Sequence, residues 1–203
     1  MTWLLPDEPV PVRLMATIWA DTAGLHDDLA APSDVDAWLD AVGVDRQGVA
    51  ATPAEHDSAR QLRDAVRRLA ALVTADERPR ATAQSAGTPG QALAVVNDAA
   101  SKLPRERLRL SGTGLALTAD VAGSPVAAGL AQVAAEAQQL LGENPSLLRA
   151  CYAPGCVLYF TKTHQRREWC SAACGNRARA ARHYQGVRSA RAKQKPGSQT
   201  PAR

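Results

Sequence analysis

The chain has 203 residues, 45% of them hydrophobic but only 4% aromatic, which is room for one medium domain and a small one. Its formal charge of +4 is unevenly spread: residues 1–150 carry 13 Lys/Arg against 19 Asp/Glu (−6), and residues 151–203 carry 11 against the single acid Glu168 (+10). No run approaches the ~18 apolar residues of a membrane span, and MTWLLPDEPV lacks the basic-then-apolar order of a signal peptide, so a cytoplasmic protein with reduced thiols is expected.

Residues 10–20, VPVRLMATIWA, are apolar with some alternation and predict a buried strand. His26, Asp27 and Asp28 follow in what reads as a solvated loop and not a metal or acid–base site. Ser33 is expected to cap a helix that runs through Val42 and stops at Gly43, with Val35, Trp38, Leu39 and Val42 facing the core. Thr52-Pro53-Ala54-Glu55 is a capping box with proline at the first helical position. It opens a long amphipathic helix to about Thr74, with Leu62, Val66, Leu69 and Val73 as its buried stripe. Arg60, Asp64 and Arg68 fall four apart as an exposed ladder. Arg63, Arg67 and Arg68 are read as a solvated face in preference to a nucleic-acid contact.

A loop over 75–90 leads to a helix from Gln91 to Leu103, stopped by Pro104. RLRLSG and GLALTAD, set around Thr113, predict a β-hairpin over about 107–120. Gly112 and Gly114 are turn glycines, since no third glycine and no helix follow as a dinucleotide loop requires. Ser124-Pro125 starts a further helix that buries Val126, Leu130, Val133, Ala137 and Leu140 and ends at Gly142. One more turn, Pro145 to Arg149, runs straight into Cys151. With no Gly/Ser linker between them, the two parts should pack against each other.

All four cysteines and five of the eight aromatic residues lie between Cys151 and Tyr184. The thiols form C-x4-C and C-x3-C pairs thirteen residues apart, the spacing of a closed zinc site. Pro154 and Gly155 turn a knuckle, and Val157–Phe160 and Arg167–Trp169 read as two short strands. Ser171 caps a helix whose first turn carries Cys174. Knuckle, hairpin and helix together make a treble clef. Four sulfurs leave zinc no open position, so the metal is structural, and His164 in the hairpin loop is a surplus ligand. By helical angle Ala178 and Ala181 point inward, Asn176, Arg179 and His183 point outward, and Arg182 sits at the flank. Arg177 lies beside the metal, either bracing the knuckle carbonyls or meeting a partner. Arg166 and Arg167 project from the hairpin with Lys162 near them. Beyond Tyr184 the chain is polar and basic, and a disordered tail is expected.

The stretches W-C-S at 169–171, C-G-N-R at 174–177 and R-H-Y at 182–184 resemble the CGNR zinc finger, a treble-clef module found at the C-terminus of bacterial proteins. LHDDLAAPSDVDAWLDAVGV at 25–44, the long helix, and the order helix, hairpin, helix, finger resemble the ABATE family, named for stress-induced transcription regulation. The resemblance implies zinc at Cys151, Cys156, Cys170 and Cys174, and DNA binding by Arg177, Arg179 and Arg182. One stretch departs from it: LMATIW stands at 14–19 where an acidic-aromatic-Asn stretch such as D-F-V-N-T is expected.

The expected fold is α+β. A mostly helical domain with a small hairpin spans 1–143, a treble-clef finger spans 144–185, and a basic disordered tail spans 186–203. The expected function is zinc-dependent binding of double-stranded DNA by a transcription regulator, with Lys162, Arg166, Arg167, Arg177, Arg179, Arg182 and His183 at the nucleic acid. Two alternatives share the same charge: an adaptor for an acidic protein, and an RNA binder. The finger's aromatics look buried and are poor candidates for base stacking. No H-E-x-x-H, H-x-E beside the cysteines, P-loop or nucleophile elbow is present, so no enzyme is expected. Residues 1–142 are left to bind a small-molecule effector or a second subunit as a homodimer, or to shield the finger through their acidic excess.

Overall fold

The computed structural model describes residues 5–79, 87–120 and 123–194. In chain order it contains α1 (Val10–Met15), β1 (Ile18–Ala20), β2 (Leu25–Asp27), α2 (Pro32–Val42), α3 (Pro53–Val73) and α4 (Pro89–Ser101). There follow β3 (Arg105–Ser111), β4 (Gly114–Asp120), α5 (Pro125–Gly142), a 3-10 turn (Pro145–Leu147), β5 (Leu148–Ala150), β6 (Tyr159–Thr161) and α6 (Ala172–Gln194). The strands pair as three antiparallel ribbons, β1 with β2, β3 with β4 and β5 with β6. The class is α+β, as the sequence predicts.

Helix starts are written in the local chemistry. Proline occupies the first turn of α2, α3, α4 and α5, where its missing N–H would have had no helical partner. Thr52 accepts from the Glu55 amide at 3.2 Å, and the Glu55 carboxylate accepts from the Thr52 amide at 2.8 Å. Thr88 and Gln91 repeat that reciprocal cap on α4, and Ser124 caps α5 through the Ala127 amide. Glu55 also accepts from the Ser124 hydroxyl, so the starts of α3 and α5 are tied together. The core lies among α1, α2, α3, α4 and α5: Val12, Leu14, Val35, Trp38, Leu39, Leu62, Val66, Val96, Leu130 and Val133 are all buried. Alanines at 59, 70, 134 and 137 let the helices approach closely. Gly129 does the same against Val44, whose Cγ1 lies 2.5 Å from where a Cβ would sit.

Several expectations are corrected. Residues 10–20 are not one strand. Pro9 and Pro11 hold φ at a helical value, Val10–Met15 winds into α1 with Val12, Leu14 and Met15 buried, and only Ile18–Ala20 is extended. The α2 cap is Ala31, not Ser33, and the Asp34 carboxylate accepts from the Ala30 and Ala31 amides at 3.0 and 2.8 Å. Val73 is 40% exposed because α3 has by then outrun the core. His26–Asp28 are held: His26 stacks on Trp19 and meets Asp21, and Asp28 accepts from the Trp19 indole. The 107–120 hairpin is present, with Leu108 opposite Leu117, Leu110 opposite Leu115, and Gly112 at φ 58 in its two-residue turn. Where a disordered tail was expected after Tyr184, α6 continues to Gln194, in keeping with its Ala, Arg, Lys and Gln content. Residues 80–86 of the predicted loop and 195–203 of the predicted tail lie outside the described residues.

Candidate metal centre and basic helix

The finger rests on charged groups that reach it from the helical body. Glu8, just before α1, accepts from the Thr161 amide at 2.8 Å and the Thr161 hydroxyl at 2.5 Å, and pairs with Arg167 at 2.5 Å. Arg67 of α3 is fully buried and donates to the Met15 carbonyl at 2.8 Å and the Val157 carbonyl at 3.2 Å. Burial pushes its pKa down to about 10, so it keeps its charge at neutral pH. Arg78 donates to the carbonyls of Cys151, Cys156 and Leu158 at 2.6, 3.1 and 3.3 Å. Its other nitrogens grip Asp76 at 2.7 and 2.8 Å. Asp76 in turn accepts from the Tyr159 hydroxyl at 2.7 Å. Burial works against the charge of Asp76, but hydrogen bonds from Arg78 and Tyr159 outweigh it and hold the carboxyl below its ordinary value.

Two expectations about arginine therefore change. Arg63 and Arg67 are not a solvated face of α3, being 1% and 0% exposed. The ladder Arg60–Asp64–Arg68 does not form, because nonlocal partners compete successfully. Arg60 and Arg63 both pair with Asp27, Arg63 also meets Asp64, and Arg68 donates to the Gly87 carbonyl.

Around the cysteines, β5 pairs with β6 in the register Leu148–Thr161, Arg149–Phe160 and Ala150–Tyr159. The knuckle lies between these two strands, with the Cys151 amide donating to Leu158 and the Cys156 amide to Ala153. Gly155 has φ 75, a conformation costly for any side chain. The expected second strand at Arg167–Trp169 is not one. In place of a strand ladder there, the Arg167 side chain donates to the carbonyls of Thr161 and Cys170 at 3.1 Å each. Ser171 then caps α6 by accepting from the Cys174 amide at 3.2 Å.

The Sγ atoms of Cys151, Cys156, Cys170 and Cys174 all lie within 4.8 Å of one another, and all four residues are buried. Cys156 and Cys170 are 3.8 Å apart and Cys170 and Cys174 3.4 Å. A tetrahedron with metal–sulfur bonds of ~2.3 Å has edges of about 3.8 Å, so the donor set fits one structural Zn²⁺ with no ligand position to spare. Hydrogen bonds among the crowded thiols push Cys156 and Cys170 up and pull Cys151 and Cys174 down. Four thiolates this close are tolerable only around a cation. His164 is exposed and its Nδ1 accepts from the Arg166 amide, so it is not a fifth ligand.

The four residues after Trp169-Cys170-Ser171-Ala172-Ala173 each have a physical task. Cys174 turns its sulfur into the four-cysteine cluster. A Cβ on Gly175 would lie 3.2 Å from Trp169 Cδ1 and 3.4 Å from Arg179 Nη1. Asn176 accepts from Arg179 at 2.5 Å. Arg177 donates to the Cys174 sulfur at 3.0 Å, a charge-assisted bond that favours thiolate. A family model described as "Putative stress-induced transcription regulator" (ABATE) matches residues 8–144, most of the chain. The chain belongs to the ABATE family. Residues 148–186 match the CGNR zinc finger. No curated protein matches the chain. Neither family description names an enzyme. Glu8, Arg67 and Arg78 thus belong to the ABATE region and grip the CGNR finger.

The predicted nucleic-acid residues divide into two groups. Arg166, Arg179, Arg182 and His183 are exposed, and Lys162 is half-buried beside them in sequence. Arg177 is exposed as a residue but spends one nitrogen on Cys174. Arg167 is withdrawn by Glu8 and two carbonyls, its guanidinium 5.1 Å above the Phe160 ring. The knuckle brace expected of Arg177 is supplied by Arg78. Sequence reasoning missed Glu8, Asp76 and Arg78 because none of them forms a local pattern with the cysteines. Helix α6 extends the basic surface: its 23 residues include Arg177, Arg179, Arg182 and Arg188, and no acid.

Proposed function

We propose that this is a zinc-dependent transcription regulator whose finger binds double-stranded DNA through α6 and the adjoining Arg166 loop. The observation that carries the proposal is α6 itself. Only its first turns touch the core, through Cys174 and Ala178, and from Arg182 to Ala190 every residue is exposed. A helix of this kind, cationic and polar all round, has no apolar face to hold it on the protein. At 23 residues it is about 35 Å long, enough to follow a groove and meet phosphates on both sides. The zinc cluster, with a net charge of −2, sits at its N-terminal end and fixes its direction.

Arg166, Arg179, Arg182 and Arg188 are the proposed phosphate contacts, with Lys162 and His183 at the edge and Arg177 shared with the metal. Contacts to about four to six phosphates give log K against log salt a slope of roughly −4 to −5. Fluorescence anisotropy on duplex DNA across a salt series tests this. R179A/R182A should weaken binding and flatten the slope by about two, while zinc content stays at one per chain. Salt-insensitive binding, or none, sinks the proposal. Tighter binding to single-stranded RNA of matched length would favour the RNA alternative. Four sulfurs would leave zinc no open position, so the role we propose for the metal is structural.

A further inference from the structure

The β3–β4 ribbon is the least explained part of the fold. From Arg105 to Thr118 every side chain is exposed except that of Ala116. Strand alternation with the observed register places Leu108, Leu110, Leu115 and Leu117 on one face. These leucines are 64%, 85%, 65% and 59% exposed. The opposite face carries Arg105, Arg107, Arg109, Ala116 and Thr118. A two-stranded ribbon is marginal in water unless a third strand or a packed face supports it. Four contiguous exposed leucines also make an apolar patch of the size that on other proteins is often an interaction site.

We infer that the leucine face is a homodimer interface, covered by the same face of a second copy. The face is self-complementary: Leu108–Leu117 and Leu110–Leu115 form two cross-strand pairs, and a two-fold axis through the ribbon lays pair against pair. The same face carries Glu106 only at the open end of the ribbon, beyond the two leucine pairs, so an isologous contact centred on the leucines keeps that acid at the rim. The four leucines offer on the order of 500 Å² per copy, and two copies bury about 1,000 Å², the level at which specific association begins. The product is a four-stranded, two-layer sandwich with sheets about 10 Å apart, which supplies the support each ribbon lacks. Its consequence is that two fingers are carried by one particle.

Sedimentation velocity of the full-length zinc protein, freed of nucleic acid, tests the inference across the micromolar range. Dimer is expected, and L110E/L115E should raise its dissociation constant about 100-fold or more. Far-UV circular dichroism and zinc content should not change. L110S, too mild to unfold the ribbon, should shift the equilibrium the same way by a smaller factor. T118E, on the reverse face, should leave the dimer intact. A wild-type chain that stays monomeric throughout overturns the inference, as does a T118E effect equal to that of L110E/L115E. A dimer insensitive to both leucine variants but broken by L72E or L93E, which line an apolar groove between α3, α4 and α5, overturns it in favour of a dimer built on that groove.

Discussion

The grip of Arg78 on the knuckle yields the most exposed prediction. R78A removes the partner of Asp76, whose side chain is 0% exposed, and strips a donor from the carbonyls of Cys151, Cys156 and Leu158. Breaking one side of a buried ion pair costs about 3–5 kcal/mol, because the remaining charge stays in a poorly solvated site. The Cys151 and Cys156 carbonyls add ~1–3 kcal/mol each where water cannot reach them, whereas Leu158 keeps the Cys151 amide at 3.0 Å. Here the Arg78 side chain is 12% exposed, so water enters the vacated space and tempers that addition. The expected loss is therefore about 4 kcal/mol. With a urea m-value of ~2 kcal/mol/M for a chain of this size, the midpoint falls by about 2 M.

The same substitution should speed zinc transfer to a chelator, since two of the three freed carbonyls belong to zinc-ligating cysteines. Urea titration monitored by tryptophan fluorescence, alongside a metallochromic chelator assay, measures both effects. D76N/R78M removes both charges together and should recover at least half of the loss, because no buried ion is left unpaired. An R78A protein within ~1 kcal/mol of wild type would refute the reasoning. So would a double variant no more stable than R78A.

Tyr159 titrates above its ordinary value because burial, and then its hydrogen bond to Asp76, disfavour the phenolate. A raised folded-state pKa means that its contribution is fully present below about pH 10, the unfolded value, and is lost as pH rises through the folded one. The urea midpoint of wild type should thus fall more steeply above pH 10 than that of Y159F. G129A should destabilise by about 1–2 kcal/mol despite the helix propensity of alanine, since its Cβ would lie 2.5 Å from Val44 Cγ1, and V44A should partly rescue it in thermal melts. Stripping zinc should unfold the finger and the start of α6 while the α3–α4–α5 core persists, read as a partial loss of helical circular dichroism with retained cooperative melting.

What was legible in the sequence was local. Thr52-Pro53-Ala54-Glu55, Gly43, the Gly112 turn and the cysteine spacing each act within a few residues, and the structure has them in place. The errors concern long-range pairing. Nothing near Arg63 or Arg67 says that Asp27, Met15 or Val157 will meet them, so i,i+4 spacing suggested a solvated ladder. Likewise β6 found its partner in β5, before the knuckle, because Glu8 and Arg167 occupy the side on which a strand at 167–169 would have paired. The strand expected at 10–20 failed for a local reason that was visible. Pro9 and Pro11 favour a helix start, and period-two apolarity over so short a run does not outweigh them.

The clamps also decide how electrostatic shielding of the finger can be examined. The acidic excess of residues 1–150 could repel DNA from α6, and truncating the chain before the finger looks like the natural test. Truncation, however, removes Glu8, Arg67 and Arg78 together, leaving Thr161, Val157 and the knuckle without the partners that fix them. Lost affinity would then report a loosened finger and not a lost field. The clean perturbation is charge reversal at exposed acids with no part in the clamps, such as Asp57 and Glu143. At low salt D57K/E143K should tighten DNA binding, and the gain should vanish as the Debye length shrinks to a few ångströms near 1 M salt. If affinity does not move at low salt, the acidic body exerts no field at α6, and its contribution to the finger is mechanical.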